Sequence, residues 1–373
     1  MALDRPAIVL IGAGHAHLGV IDDWLRHGPP DAHTVLVEPR DAMQYSGMVP
    51  GWLAGEYRQH ETRIALAPLV AAAGIEWHRF PATGIDPERR TIMLATGDTI
   101  AFDLCSIASG GAPRAARVLG SDPRLLDIRP INRFVERWNE LRTHGPFPRR
   151  IAVIGGGAGG VELAFGLRNS VHAPEVELIA GKDGLLPDHS ARVRRKVRGE
   201  LDLQGIALHS VDARIVDGRL MAGPEPLDPP DLIVAAIGSG AAEWPGTCGL
   251  PVDRDGFIRV GPTLAVEGMA HIFAAGDVAR RTDREVRHSG VHAVYAGPVL
   301  ARNLRRRVAG ERRLAAYDPR GMDIYLLNTC RGESILSYGP LALQGRWLRR
   351  LKDWLDRRWI ARFSGRGDPR SRR

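Results

Sequence analysis

The chain has 373 residues, of which 44% are hydrophobic and 25% are charged, values typical of a folded globular protein and not of a disordered one. This length is enough for two or three domains with their own cores. No uncharged apolar run reaches the about 18 residues of a membrane-spanning helix, and the sequence around Asp4 and Arg5 lacks the pattern of a signal peptide. Cys105, Cys248 and Cys330 are far apart and odd in number, which predicts a reducing cytoplasm without structural disulfides.

The net charge of +8 belongs to the C-terminal end of the chain. Residues 346–373 contain eleven Arg and Lys against three Asp, so the rest of the chain is neutral overall. Nucleic-acid binding is therefore not expected, because no other region is basic.

The first predicted unit is a strand, a turn, a helix and a second strand. The first strand, Ala7–Ile11, runs into Gly12 and Gly14, and the second strand ends at an acid, Glu38. Glycines in such a turn let the backbone approach a pyrophosphate at the start of the helix, and the acid is placed to bind a ribose. The unit therefore predicts an adenine dinucleotide site, with His15 as a neighbour of the phosphates or a packing residue.

A loop and a small antiparallel sheet are predicted next. Residues 39–55 are rich in turn formers and include Tyr45, which is either a contact of a bound flavin or an aromatic cap of the turn. A helical stretch follows at Ile64–Ala73. The strands of the small sheet are predicted at Glu76–Phe80, Thr91–Ala95 and Thr99–Phe102.

A buried strand and a crossing segment lead out of this region. The strand, Leu104–Ala108, ends at Ser109 and Gly110, which are small enough for the chain to pass closely over a cofactor. An amphipathic helix at Ile131–Leu141 then lies in the crossing to a second domain.

The second domain opens with a stronger glycine signature than the first. A strand, Ile151–Ile154, is followed by Gly155, Gly157 and Gly160, which have the full GxGxxG spacing before a helix. This arrangement predicts a second dinucleotide site.

The choice between NADH and NADPH is left open by the next strand, Val176–Ile179. It ends without an acid at Ala180 or Gly181 to bind a 2′-hydroxyl, and Lys182 is either a contact of a 2′-phosphate or a solvated loop charge.

The remaining elements include an acid after a strand. Asp277 follows Ala275 and Gly276 at a strand end, a position suited to hydrogen bonding with the hydroxyl groups of a ribityl chain. Further helices and strands are predicted at Ala191–Leu203, Leu232–Ile237, His271–Ala274, Gly290–Val308, Asp323–Asn328 and Ser334–Tyr338.

With two dinucleotide units and the late Ala-Gly-Asp, the chain resembles the two-dinucleotide-binding-domain flavoproteins of the pyridine nucleotide-disulfide oxidoreductase superfamily. Within that group it is similar to type II NADH dehydrogenases and sulfide:quinone reductases. It is more similar still to the NADH-dehydrogenase-like FAD subunit found alone or fused to selenide, water dikinase. The likeness rests on GAGHAHL at 12–18, YSGMVPG at 45–51, GGGAGGVELA at 155–164, FAAGD at 273–277 and NLRR at 303–306.

The resemblance implies an α/β fold of two Rossmann-like domains, with the NAD(P)-binding domain inserted in the FAD-binding domain. The FAD domain is predicted at 1–115 and 256–315, the NAD(P) domain at 116–255, and a small C-terminal region at 316–373. That region is expected to end in an amphipathic helix.

The resemblance also implies the cofactors, FAD and NAD(P)H, and the residues that bind them. The predicted FAD contacts are Gly12, Gly14, His15, Glu38, Ser109, Gly110, Gly276 and Asp277, and the predicted nicotinamide nucleotide contacts are Gly155, Gly157 and Gly160. A late helix starting around Ser289 is expected to direct the positive end of its dipole at the flavin.

Three residues are predicted to act in catalysis: Glu162, His292 and Tyr45. Glu162 lies near the nicotinamide or in a proton path, or else is only a helix-start acid. His292 is either a polar neighbour of the flavin or a surface histidine. Together with His288 it has the spacing of a metal pair, but no third ligand is evident and no metal site is predicted.

The sequence departs from its relatives at the thiols. Residues 39–60 contain no cysteine, unlike the disulfide reductases, and Cys105 and Cys248 are not expected to form a redox pair. Val291–Gly297 lacks the glutamine that type II dehydrogenases often carry near the quinone.

Three functions are carried forward. The leading hypothesis is an FAD-dependent NAD(P)H dehydrogenase that passes a hydride to the flavin and electrons on to a quinone-like acceptor. The second keeps the flavin but assigns a soluble acceptor linked to selenium metabolism. The third is a non-enzymatic nucleotide-binding regulator. The acceptor and the oligomeric state are left open.

The C-terminal segment Leu343–Phe363 is predicted to be an amphipathic helix. Its apolar stripe consists of Trp347, Leu348, Leu351, Trp354, Leu355, Trp359 and Phe363. Its basic face consists of Arg346, Arg349, Arg350, Lys352, Arg357 and Arg358. Such a helix either lies in the headgroup layer of an anionic membrane or docks on the protein's own core. The protein is expected in the cytoplasm. If the helix binds a membrane, the protein is expected at the periphery of the inner membrane face.

Overall fold

The computed structural model describes residues 5–319 and 323–364. Asp4 and the end of the predicted basic tail, residues 365–373, lie outside the described residues.

Helices cover much of the described chain. Those of the first half are α1 (His15–His27), α2 (Val49–Leu53), α3 (Ala67–Ala72), α4 (Ala115–Leu119), α5 (Ile131–Thr143) and α6 (Ala158–Arg168). Those of the second half are α7 (Ala191–Leu203), α8 (Trp244–Thr247), α9 (Gly290–Val308) and α10 (Arg346–Ala361).

The strands lie between these helices. The first group is β1 (Ala7–Ile11), β2 (His33–Val37), β3 (Ala42–Gln44), β4 (Arg63–Ala65), β5 (Glu76–His78), β6 (Ala82–Asp86), β7 (Thr91–Leu94), β8 (Thr99–Ala101), β9 (Leu104–Ile107) and β10 (Leu125–Asp127). The second group is β11 (Arg150–Ile154), β12 (Glu175–Ile179), β13 (Ala207–His209), β14 (Ala213–Val216), β15 (Arg219–Ala222), β16 (Glu225–Pro226) and β17 (Leu232–Ala235). The third group is β18 (Ile258–Val260), β19 (Ala265–Val266), β20 (Met269–Ala274), β21 (Ala279–Arg281), β22 (Tyr325–Asn328), β23 (Ser334–Tyr338) and β24 (Leu341–Gly345).

Two sheets with parallel centres organise the molecule. The first has the order β21-β18-β19-β20-β9-β1-β2-β5, so its strands come from both ends of the chain. The second has the order β10-β17-β11-β12-β13, and its strands come from the sequence between them. The predicted fold class, two Rossmann-like units, is confirmed. The domain boundaries at 115, 255 and 315 remain predictions.

The strands at the centres of both sheets are buried on both faces. All four residues of β9 and all four of β17 are buried, as expected for parallel strands that helices cover on both sides. This explains why β17 is entirely apolar and why β9, although it contains Ser106, shows no alternation of buried and exposed residues.

Two expectations for residues 64–80 were wrong. Glu76–His78 (β5) pairs in parallel with β2 and extends the first sheet, so the small antiparallel sheet begins instead at Ala82–Asp86. Ile64 lies in β4, because the segment Arg63–Ala65 pairs with Ala42–Gln44 before the helix begins. Local pattern alone did not reveal either tertiary pairing.

The C-terminal helix begins later than predicted and divides its apolar residues between two environments. Leu341–Gly345 pairs with β23 as a strand, so α10 starts at Arg346. Leu348 and Phe363 are buried against the body, whereas four other stripe residues remain exposed: Trp347, Leu351, Trp354 and Leu355. Lys352, expected on the solvated basic face, is also buried, because it pairs with Asp356 one turn along the helix.

Within the residues described, none of the helices combines the length and the apolar character needed to cross a bilayer.

Candidate functional site

The first glycine turn is held by backbone hydrogen bonds to both neighbouring strands. Gly12 N donates to Val37 O at 2.9 Å, and Gly14 N donates to Ala108 O at 3.2 Å. Gly12 has φ +85°, and a Cβ there would lie 2.7 Å from Ser109 Cα. Glycine is therefore required both by the backbone conformation and by the close approach of the segment that contains Ser109.

His17 fixes this turn from inside the protein. Its ring is fully buried, with Nδ1 donating to Gly12 O and Nε2 2.8 Å from Ser106 Oγ. Burial lowers the pKa of His17 to about 4, so the ring is neutral at physiological pH. His17 stands at the third position of the glycine signature, where a small residue is usual. It stabilises the turn through these two hydrogen bonds.

Glu38 is a buried carboxylate at the end of β2. Its Oε2 accepts from Ala13 N at 2.8 Å, and Arg40 binds both oxygens, with Nε at 2.6 Å and Nη2 at 2.7 Å. Burial opposes the charge of Glu38, but the hydrogen bonds and charge of Arg40 lower its pKa. The carboxylate is therefore kept ionised beside the glycine turn.

A cleft with about 690 Å³ of empty volume opens beside the turn. Its walls include the predicted residues Gly14, His15, Ser109, Gly110, Gly276 and Asp277. Three buried polar atoms on residues of this wall lack a hydrogen-bond partner: His15 Nε2, Ser109 Oγ and Asn132 Oδ1. Buried polar groups are rarely left unpaired, so the cleft fits a ligand that is itself rich in hydrogen-bonding groups, as FAD is.

Asp277 receives contacts from the segment that carries the second sheet. Ser239 Oγ donates to Asp277 Oδ2 at 3.0 Å, and Arg129 Nη2 lies 3.6 Å from the same oxygen. Asp277 and Arg129 both line the cleft. The cleft therefore contains a carboxylate, which can accept from hydroxyl groups, and a guanidinium, which can donate to phosphate oxygens.

The N-terminus of α9 reaches the cleft as expected. Gly290 and Ala293 line it, and Ser289 caps the helix by accepting from His292 N at 3.3 Å. The unpaired N–H groups and the positive end of the helix dipole favour negative charge at this place.

His292 is not brought to the cleft. Its Nδ1 lies 2.9 Å from Tyr317 Oη, and its Nε2 lies 3.4 Å from an oxygen of Asp323. Because Gly290 and Ala293 point one helical face at the cleft, a residue two positions after Gly290 is turned to the other side. His288 likewise bonds elsewhere, with Nε2 3.0 Å from Ala279 O. His292 therefore lies beside Tyr317 and Asp323, and its part in catalysis stays a prediction.

The second glycine turn repeats the construction of the first. Gly155 N donates to Ile179 O at 2.8 Å, and a Cβ on Gly155 would collide with Ala236 O. A Cβ on Gly160 would collide with Gly155 O, so the third glycine is needed for packing of the helix on the strand. Gly157 is the N-cap residue of α6 and leaves the helix N-terminus open to a phosphate.

Tyr45 is part of an aromatic cluster that joins the cleft to the C-terminal helix. Trp359 stacks on Tyr45, with ring centroids 4.4 Å apart, and lies 5.4 Å from the ring of His15. Tyr45 Oη donates to Asp356 Oδ1 at 3.1 Å. Burial and the neighbouring Asp356 raise the pKa of Tyr45, so its hydroxyl stays protonated. Because His15 lines the cleft, α10 packs directly behind the cleft wall.

Glu162 belongs to a buried polar network beneath the same helix. Its Oε1 accepts from Asn328 N at 2.8 Å and lies 4.0 Å from Lys352 Nζ. Lys352 Nζ also donates to Asp356 Oδ2 at 3.1 Å and Gly47 O at 3.2 Å. Burial raises the pKa of Glu162, although the charge of Lys352 opposes the shift. Glu162 therefore holds its proton to a higher pH than an exposed glutamate.

The three cysteines are free thiols. Cys105 lies inside β9 and Cys330 lies beside Pro50, and burial raises the pKa of both thiols. Thiols with a raised pKa are poor nucleophiles, because the reactive species is the thiolate.

Several residues of the site were not predicted from the sequence. Arg40 had a local signal, since it follows Glu38 by two positions. The others reach the site from distant segments and follow no spacing rule: Arg129, Asn132, Ser239, Lys352, Asp356 and Asn328. Trp359 was predicted only as part of an apolar stripe.

Comparison with known proteins finds similarity along most of the chain. The sequence profile of the family described as pyridine nucleotide-disulphide oxidoreductase matches residues 6–297. The demethylphylloquinone reductase NdbB of Synechocystis is 26% identical over 299 residues, covering 75% of this chain and 73% of that protein.

Two solved structures share the fold. The structure of NDH2 from Plasmodium falciparum in complex with NADH superposes with a TM-score of 0.76 at 12% identity, covering 97% of this chain and 99% of that one. An NAD-dependent persulfide reductase from A. fulgidus gives a TM-score of 0.74 at 21% identity over 93% of this chain. This chain covers 66% of that larger protein, slightly less than two thirds of its length.

Proposed function

The chain belongs to the pyridine nucleotide-disulphide oxidoreductase family, and from this premise we propose that the electrons it takes from NAD(P)H through FAD leave to a quinone-like acceptor held in a membrane. The observation that carries the proposal is α10, which packs on the cleft wall with one face and exposes apolar side chains with the other. With the family assigned, the alternative of a non-enzymatic regulator is set aside.

The residues for the two nucleotides follow from the two turns. Gly12, Gly14 and Glu38 would hold the ADP half of FAD, and Asp277 its ribityl chain. When bound, FAD accepts the hydride of the nicotinamide and passes the electrons on. Arg40 and Arg129 line the cleft beside the first turn, and their positive charge would favour the phosphates of FAD.

The protein's own groups then control charge and protons. The N-terminus of α9 favours negative charge in the cleft. Reduction of a quinone to a quinol takes up protons, and Glu162, whose pKa is raised by burial, holds a proton to a higher pH than an exposed glutamate. Lys352 Nζ lies 4.0 Å from Glu162 Oε1, so its positive charge would stabilise the carboxylate that remains when Glu162 gives up a proton.

The apolar patch is formed by α10 and the hairpin before it. Its helix residues are Trp347, Leu351, Trp354 and Leu355, which are 55%, 38%, 52% and 44% exposed. Its hairpin residues are Tyr338, Leu341 and Leu343, which are 40–42% exposed. Exposed apolar residues that cluster in this way mark an interaction surface.

The charge around this patch supports a membrane as its partner. Arg346, Arg350 and Arg358 are exposed on the same helix, and tryptophan with arginine on an interfacial helix is typical of binding to the headgroup layer of anionic lipids. NdbB, the relative from Synechocystis, is named for a quinone substrate, and quinones of that kind reside in bilayers. Trp359, on the same helix, would lie between the lipid and the cleft.

The experiment uses substitutions in the patch and not removal of the helix, because truncation would also expose the core around Leu348 and Phe363. In the double variant Trp347→Glu, Trp354→Glu, we expect normal flavin content and normal reduction of a water-soluble quinone. We expect loss of sedimentation with phosphatidylcholine–phosphatidylglycerol vesicles, and at least tenfold slower reduction of a long-chain quinone within them.

Val171→Glu is the matched control, since Val171 is 82% exposed on another part of the surface. It should bind vesicles and reduce the lipid quinone as the unmodified protein does. If the double variant reduced the embedded quinone as fast as the unmodified protein, the role of the α10 patch in reaching the acceptor would be wrong. If the unmodified protein neither sedimented with the vesicles nor reduced the embedded quinone, the membrane acceptor would be wrong and a soluble acceptor would be favoured.

A further inference from the structure

The two dinucleotide units have the same register of strands around their turns. Glu38 N donates to His78 O at 3.0 Å on the strand beside β2, and Ala180 N donates to His209 O at 2.8 Å on the strand beside β12. Ala180 therefore occupies in the second unit the position that Glu38 occupies in the first. The second strand itself supplies no acid for a ribose.

A carboxylate is nevertheless present at this place. In the first unit Glu38 Oε1 accepts from the backbone N–H of Arg40 at 3.0 Å. In the second unit the equivalent N–H, that of Lys182, donates to Asp212 Oδ1 at the same distance of 3.0 Å. Asp212 follows the neighbouring strand β13 by three residues and so reaches the end of β12 from the side.

The surroundings of Asp212 leave its carboxylate available to a ligand. A Cβ on Gly181 would lie 3.6 Å from Asp212 Oδ1, so the glycine keeps the space beside that oxygen open. Asp212 is exposed, and its backbone is fixed by Gly223 N, which donates to Asp212 O at 2.8 Å. Within residues 5–319 and 323–364, the side chain forms no ion pair that would neutralise it.

We propose that Asp212 supplies the ribose-binding carboxylate that β12 lacks, and that it makes the protein select NADH over NADPH. A carboxylate accepts hydrogen bonds from the 2′-hydroxyl of NADH but repels the 2′-phosphate of NADPH. The proposal rests on the proposed function only in taking the second glycine turn as the nicotinamide nucleotide site. It also assigns Lys182 a backbone role, where its side chain had been a candidate contact for a 2′-phosphate.

The test compares two nucleotides and two dead-end ligands. For the unmodified holoenzyme we expect a Kd for NADPH at least tenfold higher than that for NADH, taken from the concentration dependence of the flavin bleach in rapid mixing. We expect the same order for 2′-phospho-ADP-ribose and ADP-ribose, measured by calorimetry without any electron transfer. In Asp212→Asn both ratios should fall to within about threefold of unity, and Asp212→Glu should restore most of the preference.

Asp183→Asn is the matched control. Asp183 is an exposed acid in the loop that contains Lys182, and its side chain does not accept from Lys182 N. It should keep the preference for NADH. If Asp212→Asn left both ratios unchanged, or if the unmodified protein bound the phosphorylated ligands more tightly, the proposal would be overturned. If neither nucleotide bleached the flavin but ADP-ribose binding depended on Asp212, the proposed function would fail while the role of Asp212 stood.

Discussion

The two glycine turns have the same backbone construction but obtain their selective groups in different ways. The first lacks the third glycine and has His17 there, bonded to Gly12 O, while its acid, Glu38, stands on its own strand under the clamp of Arg40. The second has the complete glycine set and no acid at the end of its strand, where Ala180 stands. Its carboxylate, Asp212, comes from the neighbouring loop.

This difference separates what a short motif specifies from what it does not. The glycines are required by backbone conformation and close contact, which are local and repeat wherever the turn repeats. A side chain that binds a ligand needs only to reach the right place, and any adjacent segment can supply it. Motif spacing therefore predicts the turn with more certainty than the specificity of the site.

The largest effect is expected from placing one β-branched residue in each turn. Gly12→Val would bring a Cβ within 2.7 Å of Ser109 Cα at a φ of +85°, so the protein should be purified without FAD. Gly155→Val meets Ala236 O in the second turn, and it should keep FAD but lose flavin bleaching by NADH by at least 100-fold. The ratio of flavin to protein absorbance and rapid mixing distinguish the two, and loss of FAD in Gly155→Val alone would reverse the assignment of the turns.

A smaller effect is expected where side chains and not the backbone bind the flavin. Asp277→Ala removes the carboxylate that lines the cleft, and hydrogen bonds to charged groups contribute about 1.5–3 kcal/mol, so the Kd for FAD should rise roughly 10- to 100-fold. Asp283→Ala is the control, since Asp283 pairs with Arg281 and does not line the cleft. Titration of the apoprotein with FAD measures both. Equal effects of the two substitutions would remove Asp277 from the site.

The sequence predicted the elements that have a local cause. Gly290–Val308 and Ala191–Leu203 were predicted with the bounds observed, because helical periodicity and a serine cap define them within a few residues. The sequence did not predict strand pairings that depend on another segment of the chain, as at Glu76–His78 and Leu341–Gly345. The pairing of Glu76–His78 with β2 adds it to the first sheet, and no pattern within three residues can reveal that.

The candidate site divides in the same way. The glycines, Glu38 and Asp277 were predicted from motifs, since each stands at a strand end with a fixed spacing, and their roles in binding stay predictions. Arg129 and Lys352 were not, because each reaches the site across the fold; the helical pattern of the C-terminal segment placed Lys352 on a basic face, whereas it is buried. His292 was predicted to lie beside the flavin or on the surface. In α9 its ring is turned towards Tyr317, and its part in catalysis stays a prediction.

The pH dependence of the free energy of unfolding tests the role of His17, which stands where the third glycine of the signature would be. The pKa of His17 is lowered by burial from 6.5 to about 4, so between these values the unfolded chain binds a proton that the folded protein excludes. The free energy of unfolding should therefore be unaffected by His17 above pH 6.5 and fall as the pH decreases towards 4, by about 3 kcal/mol in total. His15, whose pKa is also lowered to about 4 by burial, acts in the same direction. Only the difference between the unmodified protein and His17→Gln isolates His17. Denaturant unfolding at a series of pH values should give curves that converge at low pH, and a constant difference would show that His17 does not titrate there.

The smallest effect is expected from the thiols, which lie on both sides of the comparison. Cys105 is in the sheet of the first turn, and Cys330 lies beside Pro50 below the network of Glu162. Burial raises the pKa of both thiols, so neither supplies a thiolate to the flavin at physiological pH. We expect electrons to leave the flavin directly, so the variant Cys105→Ala, Cys248→Ser, Cys330→Ala should keep turnover within about threefold of the unmodified protein. Steady-state NADH oxidation with a soluble quinone measures this at matched flavin content. A folded, flavin-replete variant whose reduced flavin is no longer reoxidised by the quinone would show that a thiol carries the electrons, and the direct route would be wrong.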